Sequence, residues 1–296
     1  MRDAFSTYHP AVSFLYFTQV LLFSMFLMHP ACLGISLLCA FCYLVCLNGK
    51  KALLFNLKYM LPLLLVTALV NPAFNHEGRT ILTYLPDGNP LTLESIAYGT
   101  AAAVMLMTVI GWFSCYNAVM TSDKFVYLFG RVIPALSLIL SMALRFVPRF
   151  KAQLQVVSNA QKCVGRDISN GSLLQRAGHG VRILSVMVTW ALENAIETAD
   201  SMRSRGYGLP GRTAFSIYRF DRRDKSALLY LLCCGGYIMA GSALGGLYWS
   251  YFPAMRGAGP EPYSVSLYLC YLALCLAPVL INIMEDRKWR AIQSGS

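Results

Sequence analysis

The sequence predicts an all-α, polytopic membrane protein with about six transmembrane helices and long cytoplasmic helices set between them. Three observations lead there. Hydrophobic residues make up 56% of the 296 positions and charged residues only 13%, where a soluble domain carries roughly a quarter. Mean hydropathy is +0.52. Charge-free windows close to the length that crosses a bilayer recur along the chain, and the basic residues between them fall almost wholly on one side.

The windows come in order. Residues 11–28 are uncharged, and His29-Pro30 then turns the chain. Residues 31–48 form the second run and residues 59–75 the third, shortened or broken at Asn71-Pro72. Residues 95–122, 226–255 and 262–284 complete six. No small-residue cleavage site follows Arg2, Asp3 and the first apolar run, so that run is expected to stay in the mature protein. Residues 132–144 and 183–192 are also uncharged but too short to span alone, and they read as parts of amphipathic helices. Three regions follow: a membrane domain over 1–122 with about four spans, a cytoplasmic or interfacial helical region over 123–225, and a membrane segment over 226–296 with about two spans.

Charge distribution supports this threading. With the N-terminus inside, the cytoplasmic segments hold Arg2, the group Lys50, Lys51 and Lys58, sixteen Lys and Arg from Lys124 to Lys225, and Arg287, Lys288 and Arg290. Only Arg79 and Arg256 remain outside. Both termini come out cytoplasmic. The net charge of +11 therefore marks one membrane face, not a nucleic-acid-binding module.

Several chemistries are excluded. There is no G-x-x-x-x-G-K-[ST] phosphate loop and no H-E-x-x-H. Nine of the ten cysteines sit in apolar runs without accompanying histidines or acids, and read as small buried hydrophobes; only Cys163 has polar surroundings. His76 and Glu77 are adjacent in a turn-rich outer loop, but no second ligand pair stands at helical spacing, so a structural loop is expected there instead of a metal site or an intramembrane enzyme. The Asn170-Gly171-Ser172 triplet lies on the predicted cytoplasmic side and is not a glycosylation site. Intramembrane charge is nearly missing apart from Glu94 at a span edge. An ion-driven transporter buries such groups along its path, so energy for transport would have to come from elsewhere.

The central region predicts two helices in series. Phe146, Phe150, Leu154, Val157, Gln161 and Val164 line one face of a helix from about residue 145 to 164, which Pro148 kinks or starts. Asn170-Gly171 breaks it. A second helix begins at about Leu173, with a polar stripe of Arg182, Ser185, Thr189, Glu193, Glu197, Asp200 and Ser204 on an otherwise apolar rod. Near its end Ala195, Ala199 and Met202 share a face, Glu197 and Asp200 lie opposite, and Arg203 and Arg205 sit in the last turn, where a cation meets the negative end of the helix dipole. Gly206, Gly208, Pro210 and Gly211 then stop the helix. On spacing alone these are either arms that display basic tips, re-entrant helices that pack the bundle, or a charged cytoplasmic loop.

The string S-M-R-S-R-G-Y-G from Ser201, with R-F-V-P from Arg145, A-Q-K from Ala160 and N-P-A-F-N-H-E-G from Asn71, resembles the transmembrane T component of energy-coupling factor (ECF) transporters. The resemblance implies a non-catalytic scaffold in a prokaryotic plasma membrane. It joins two ABC-type ATPases, which hold ATP and Mg, to a small membrane S component that binds a vitamin, metal ion or other micronutrient. It implies no directly bound cofactor or metal and no nucleic-acid partner, and the lipid bilayer as surroundings. A permease subunit of a conventional ABC transporter is the alternative. The family's two coupling helices end in Ala-Arg-Gly motifs that dock on the ATPases. Carried onto this chain, the second motif is Ser204, Arg205 and Gly206, preceded by Arg203. The first is Ala160, Gln161 and Lys162 followed by Cys163, Val164 and Gly165, so Val164 stands where arginine is usual. Either Arg166 or Lys162 replaces it. Met142, Met187 and Trp190 are candidates for contact with the S component, against core packing as the competing reading.

Overall fold

The structure, a computed structural model, describes residues 3–84, 89–130, 133–166, 169, 172–210, 218–257, 259 and 261–294. Its helices are α1 Pro10–Phe26, α2 Pro30–Phe74, α3 Leu93–Val119, α4 Ser122–Gly130, α5 Pro134–Cys163, α6 Leu173–Ser204, α7 Arg222–Ala243 and α8 Pro262–Ser294. Two small antiparallel hairpins, β1 Ile81–Tyr84 with β2 Pro90–Thr92 and β3 Trp249–Ser250 with β4 Arg256–Gly257, join α2 to α3 and α7 to α8. The chain divides into two compact units: residues 1–121 with 218–296, and residues 122–217.

The first unit is a bundle of apolar helices. Four segments are long and apolar enough to cross a membrane: Pro30–Leu47, Leu93–Val119, Arg222–Ala243 and Pro262–Lys288. Pro10–Phe26 and Met60–Phe74 are shorter apolar helices. Each of the six overlaps one of the predicted windows. The starts of α1 and α2 share one device. In His9-Pro10-Ala11 and His29-Pro30-Ala31 the proline takes the first helical position, and the histidine Nδ1 accepts from the alanine N–H at 3.2 Å in both. At Gly49, with φ 73° and ψ 178°, α2 kinks, which separates the second and third apolar runs into two rods.

Some boundaries differ from the sequence reading. The uncharged run 226–255 is not one rod: α7 stops at Ala243, where Gly245 has φ 83° and Gly246 N–H donates to Gly241 O at 3.0 Å, and the rest turns into β3 and β4. The third run is not broken at Asn71-Pro72, since α2 continues through Pro72 to Phe74. The last run also extends further, since α8 continues past Met284 to Ser294 through Glu285, Asp286, Arg287, Lys288 and Arg290. In the second unit α5 starts at Pro134, not at Arg145, because Pro134 supplies a first-turn proline and the uncharged residues after it continue the helix; Pro148 lies inside it. The Asn170-Gly171 break and Gly211 lie outside the described residues. Cys32, Cys39, Cys115 and Cys275 are buried as expected, but Cys42, Cys46 and Cys233 are exposed on the outer faces of apolar helices, where lipid can meet a small weakly polar side chain.

The bundle core is aromatic. Trp112, Tyr16, Tyr43 and Tyr271 are its largest fully buried side chains, with Tyr16 edge-on to Trp112 at 6.1 Å. Their polar atoms are satisfied within the core. Trp112 Nε1 donates to Ser36 Oγ at 2.9 Å, Ser36 and Ser24 hydroxyls are 2.7 Å apart, and the Tyr16 hydroxyl donates to Cys275 O at 3.0 Å. Between helices in lipid such bonds replace the hydrophobic drive that water provides elsewhere.

In the first turn of α3, Glu94 is buried and its carboxylate accepts from Thr80 N–H and from the Thr80 hydroxyl at 2.9 Å. The Glu77 N–H donates to Asn75 Oδ1, and Glu77 O accepts from Thr92 Oγ1. The His76–Glu77 pair is thus part of a closed turn. Among the described residues no group of three or more His, Cys, Asp or Glu could hold a metal ion.

Candidate coupling site

The second unit carries the residues singled out by sequence. Val157 of α5 and Ile183 and Met187 of α6 are buried together, with Trp190 packed against them. Trp190 stands edge-on to Phe150 at 5.3 Å. An apolar hollow of about 420 Å³ opens beside this core, lined by Phe150, Leu154, Leu184, Met187, Val188 and Leu192. The predicted polar stripe of α6 is exposed from Arg182 to Ser204. A second exposed stripe escaped the sequence reading: Val181, Leu184, Val188, Leu192 and Ile196, all apolar. Its signal was present in the 3-4-4-4 spacing, hidden because the buried stripe beside it is also apolar.

The two helix ends are built alike. At the end of α5, Gly165 has φ 76°, its N–H donates to Lys162 O at 2.9 Å, and Arg166 N–H donates to Gln161 O at 2.9 Å. At the end of α6, Gly206 has φ 75°, its N–H donates to Arg203 O at 2.9 Å, and Tyr207 N–H donates to Met202 O at 3.0 Å. This crossed pair of bonds closes a helix on a left-handed residue, a conformation that glycine adopts without steric cost. The shared pattern sets a correspondence: Lys162 matches Arg203, Cys163 matches Ser204, Val164 matches Arg205, and Arg166 matches Tyr207. Lys162 thus puts a cation in the last turn of α5, as Arg203 does in α6.

Exposure follows position. Ala160, Lys162, Cys163, Val164 and Gly165 are exposed at the first tip, and Gln161 and Arg166 are half-buried. Arg203, Ser204 and Arg205 are exposed at the second, with Gly206 half-buried. The Ser204 hydroxyl donates to Ser201 O at 2.9 Å and so is turned back on its own helix. Tyr207, 55% exposed just past the glycine, joins the second tip. Of the three apolar candidates, Met187 is 5% exposed within the α5–α6 core, while Met142 and Trp190 are half-buried.

Both tips lie inside residues 6–215, the stretch matched by the family model for CbiQ, described as a cobalt transport protein. The chain is 33% identical over 108 residues to the energy-coupling factor transporter transmembrane protein EcfT of Lactobacillus helveticus, covering 36% of this chain and 39% of that one. It belongs to the T-component family of ECF transporters. The T component of Listeria innocua matches over a longer stretch, 26% identical across 219 residues, 69% of this chain and 81% of its own. That of Lacticaseibacillus paracasei is 34% identical over 108 residues, 36% of this chain and 41% of its own. The matches to the first and third of these T components span about two fifths of their length.

Proposed function

We propose that this chain is the membrane scaffold through which two ABC-type ATPases drive uptake of a micronutrient, a vitamin or a metal ion, held by a separate small S component. The chain is non-catalytic, and ATP and Mg²⁺ bind on the ATPases. It sits in a prokaryotic plasma membrane with both termini and both helix tips on the cytoplasmic face. The matching closure of α5 and α6, each leaving a basic last turn exposed, is the observation that carries this reading.

Each tip has a chemical logic. The Arg205 guanidinium can make two parallel charge-assisted bonds to a partner carboxylate. The glycine after it leaves room for the partner backbone. At the first tip Lys162 supplies the cation and Val164 an apolar contact, so the first grip is a point charge on an apolar knob. Unequal tips suit two non-identical ATPases. Met142 and Trp190, with the exposed apolar stripe of α6, offer the S component an adaptable surface, and Met187 supports it from beneath.

The test is co-purification of the tagged chain with its ATPases, identified by mass spectrometry through their phosphate loops. Arg205→Glu is expected to weaken capture by roughly tenfold or more, the scale of one lost charge-assisted bond, with the helical circular dichroism unchanged. Lys162→Glu should weaken it less. Full capture of both ATPases by the Arg205→Glu, Lys162→Glu double variant would remove the coupling role.

A further inference from the structure

The segment ahead of α1 is built into the bundle at both of its ends. At one end Phe5 is 2% exposed and lies against the rings of Tyr8, Tyr16, Phe17 and Tyr43, with centroids 5.7, 5.2, 6.3 and 6.5 Å away. Asp3 Oδ1 accepts from Asn282 Nδ2 of α8 at 2.6 Å, and Asn282 Oδ1 accepts from Ala4 N–H at 2.8 Å. The Tyr43 hydroxyl of α2 donates to Asp3 Oδ2 at 3.2 Å. The segment is therefore fixed to α2 and α8.

Its other end meets the place where the chain re-enters the bundle ahead of α7. His9 N–H donates to Asp224 Oδ1 at 3.1 Å, while Asp224 Oδ2 caps α7 by accepting from Asp221 N–H at 3.0 Å. The Arg223 guanidinium lies 4.3 Å from the Tyr8 ring centroid and donates to Thr7 Oγ1 at 3.3 Å. Phe220 stands edge-on to the His9 ring at 5.0 Å. Every one of these residues belongs to the first unit.

The chain passes between the two units at residues 121–122 and 217–218. The first unit resumes at Tyr218–Asp224, and residues 3–9 tie that root to α2 and α8. α7 itself packs against α1 and α8, with Leu231 and Ile238 buried in the core, so residues 3–9 add a second hold at its N-terminal end.

We propose that residues 3–9 are the anchor of the second coupling helix, with Asp3, Tyr8, Arg223 and Asn282 as positioning residues that keep its root still while ATPases pull on the tip. This rests on the scaffold reading above. Several weak contacts in parallel suit the task, since each can be lost and remade while the others hold.

Hydrogen exchange on the full chain, co-purified with its ATPases and compared with and without ATP, tests it. In the wild type the hydrogen-bonded amides at the root, those of His9, Asp221 and Lys225, are expected to stay protected in both conditions. Tyr8→Leu and Asn282→Ala should each speed their exchange by about tenfold, the scale of one lost contact, and more so during ATP turnover, with α3 unchanged. Tyr8→Phe keeps the ring under Arg223 and should restore protection. Unchanged exchange at His9, Asp221 and Lys225 in both variants overturns the anchor, and so does a loss of protection spread through α3, which would mean general destabilisation. Should the wild type capture no ATPases, the scaffold reading fails by itself, and the same comparison on the chain alone still decides whether residues 3–9 hold the root.

Discussion

Ser36 shows how much one hydroxyl can settle in this bundle. It accepts from the Trp112 indole at 2.9 Å and meets Ser24 at 2.7 Å, all three side chains being fully or almost fully buried. Ser36→Ala leaves the indole N–H without its acceptor and is expected to cost about 1 kcal/mol, the usual scale between helices in lipid. Trp112→Phe leaves a cavity of its own but also removes the orphaned donor, so the double variant should lose less than the sum of the two singles. Thermal unfolding in detergent reads both, and a double variant weaker than the sum of the singles would contradict the assignment. His9 makes a second residue-scale prediction. Burial holds its imidazole below the ordinary 6.5, and the nearby Asp224 carboxylate opposes this without winning. The unfolded chain thus binds protons more readily, so the stability His9 contributes is fully present above about pH 6.5 and is lost as pH falls through the lowered folded value. Protonation also removes the Nδ1 acceptor that caps Ala11 N–H. Between about pH 7.5 and 5.5 the melting temperature should fall less in His9→Asn, which keeps a capping acceptor without titrating in this range. An equal fall in both would assign the pH dependence to other groups.

At the scale of elements, close helix crossings depend on small residues. At Gly99 of α3 a Cβ would stand 2.8 Å from the Ala68 carbonyl oxygen of α2 and 3.1 Å from Asn71 Cβ. A backbone oxygen cannot swing aside, so Gly99→Leu must push the two helices apart, at a cost of roughly 1–3 kcal/mol or more. The expected outcome is a lower melting temperature and lost helix protection near Asn71, and normal stability would show that α2 and α3 cross less tightly there. The helix ends tell the same story in another form. A glycine at φ near +75° closes α5 and α6 alike, and that closure fixes which residues face outward. Arg203 and Lys162 share a position because the hydrogen bonds make them equivalent, although their neighbours in sequence differ.

At the scale of the whole molecule, orientation follows from charge. In the proposed topology the basic residues between Lys124 and Lys225 put both helix tips on the cytoplasmic side. Cys163 at the first tip is exposed and native to the chain. A membrane-impermeant maleimide should therefore label it in inside-out vesicles and not in right-side-out ones, with Cys163→Ser abolishing the signal. Labelling from the outer face would invert the topology and remove the coupling reading with it.

Residue patterns alone determined the all-α membrane class, the six apolar segments, the start of α6 at Leu173 and the family, because a bilayer demands long charge-free helices and because the basic motifs are local strings. The start of α5 was misplaced, since the uncharged residues after Pro134 are too few to announce a span yet enough to extend a helix. Sequence leaves open whether Arg166 or Lys162 replaces the arginine missing from the first motif; the crossed bonds around Gly165 and Gly206 supply only the register, which matches Lys162 to Arg203 and Val164 to Arg205. The pairing of Asp3 with Asn282, 279 residues apart, had no sequence signal at all. Local propensity and hydrophobic length are written into neighbouring residues, whereas contacts between distant ones exist only once the helices have packed.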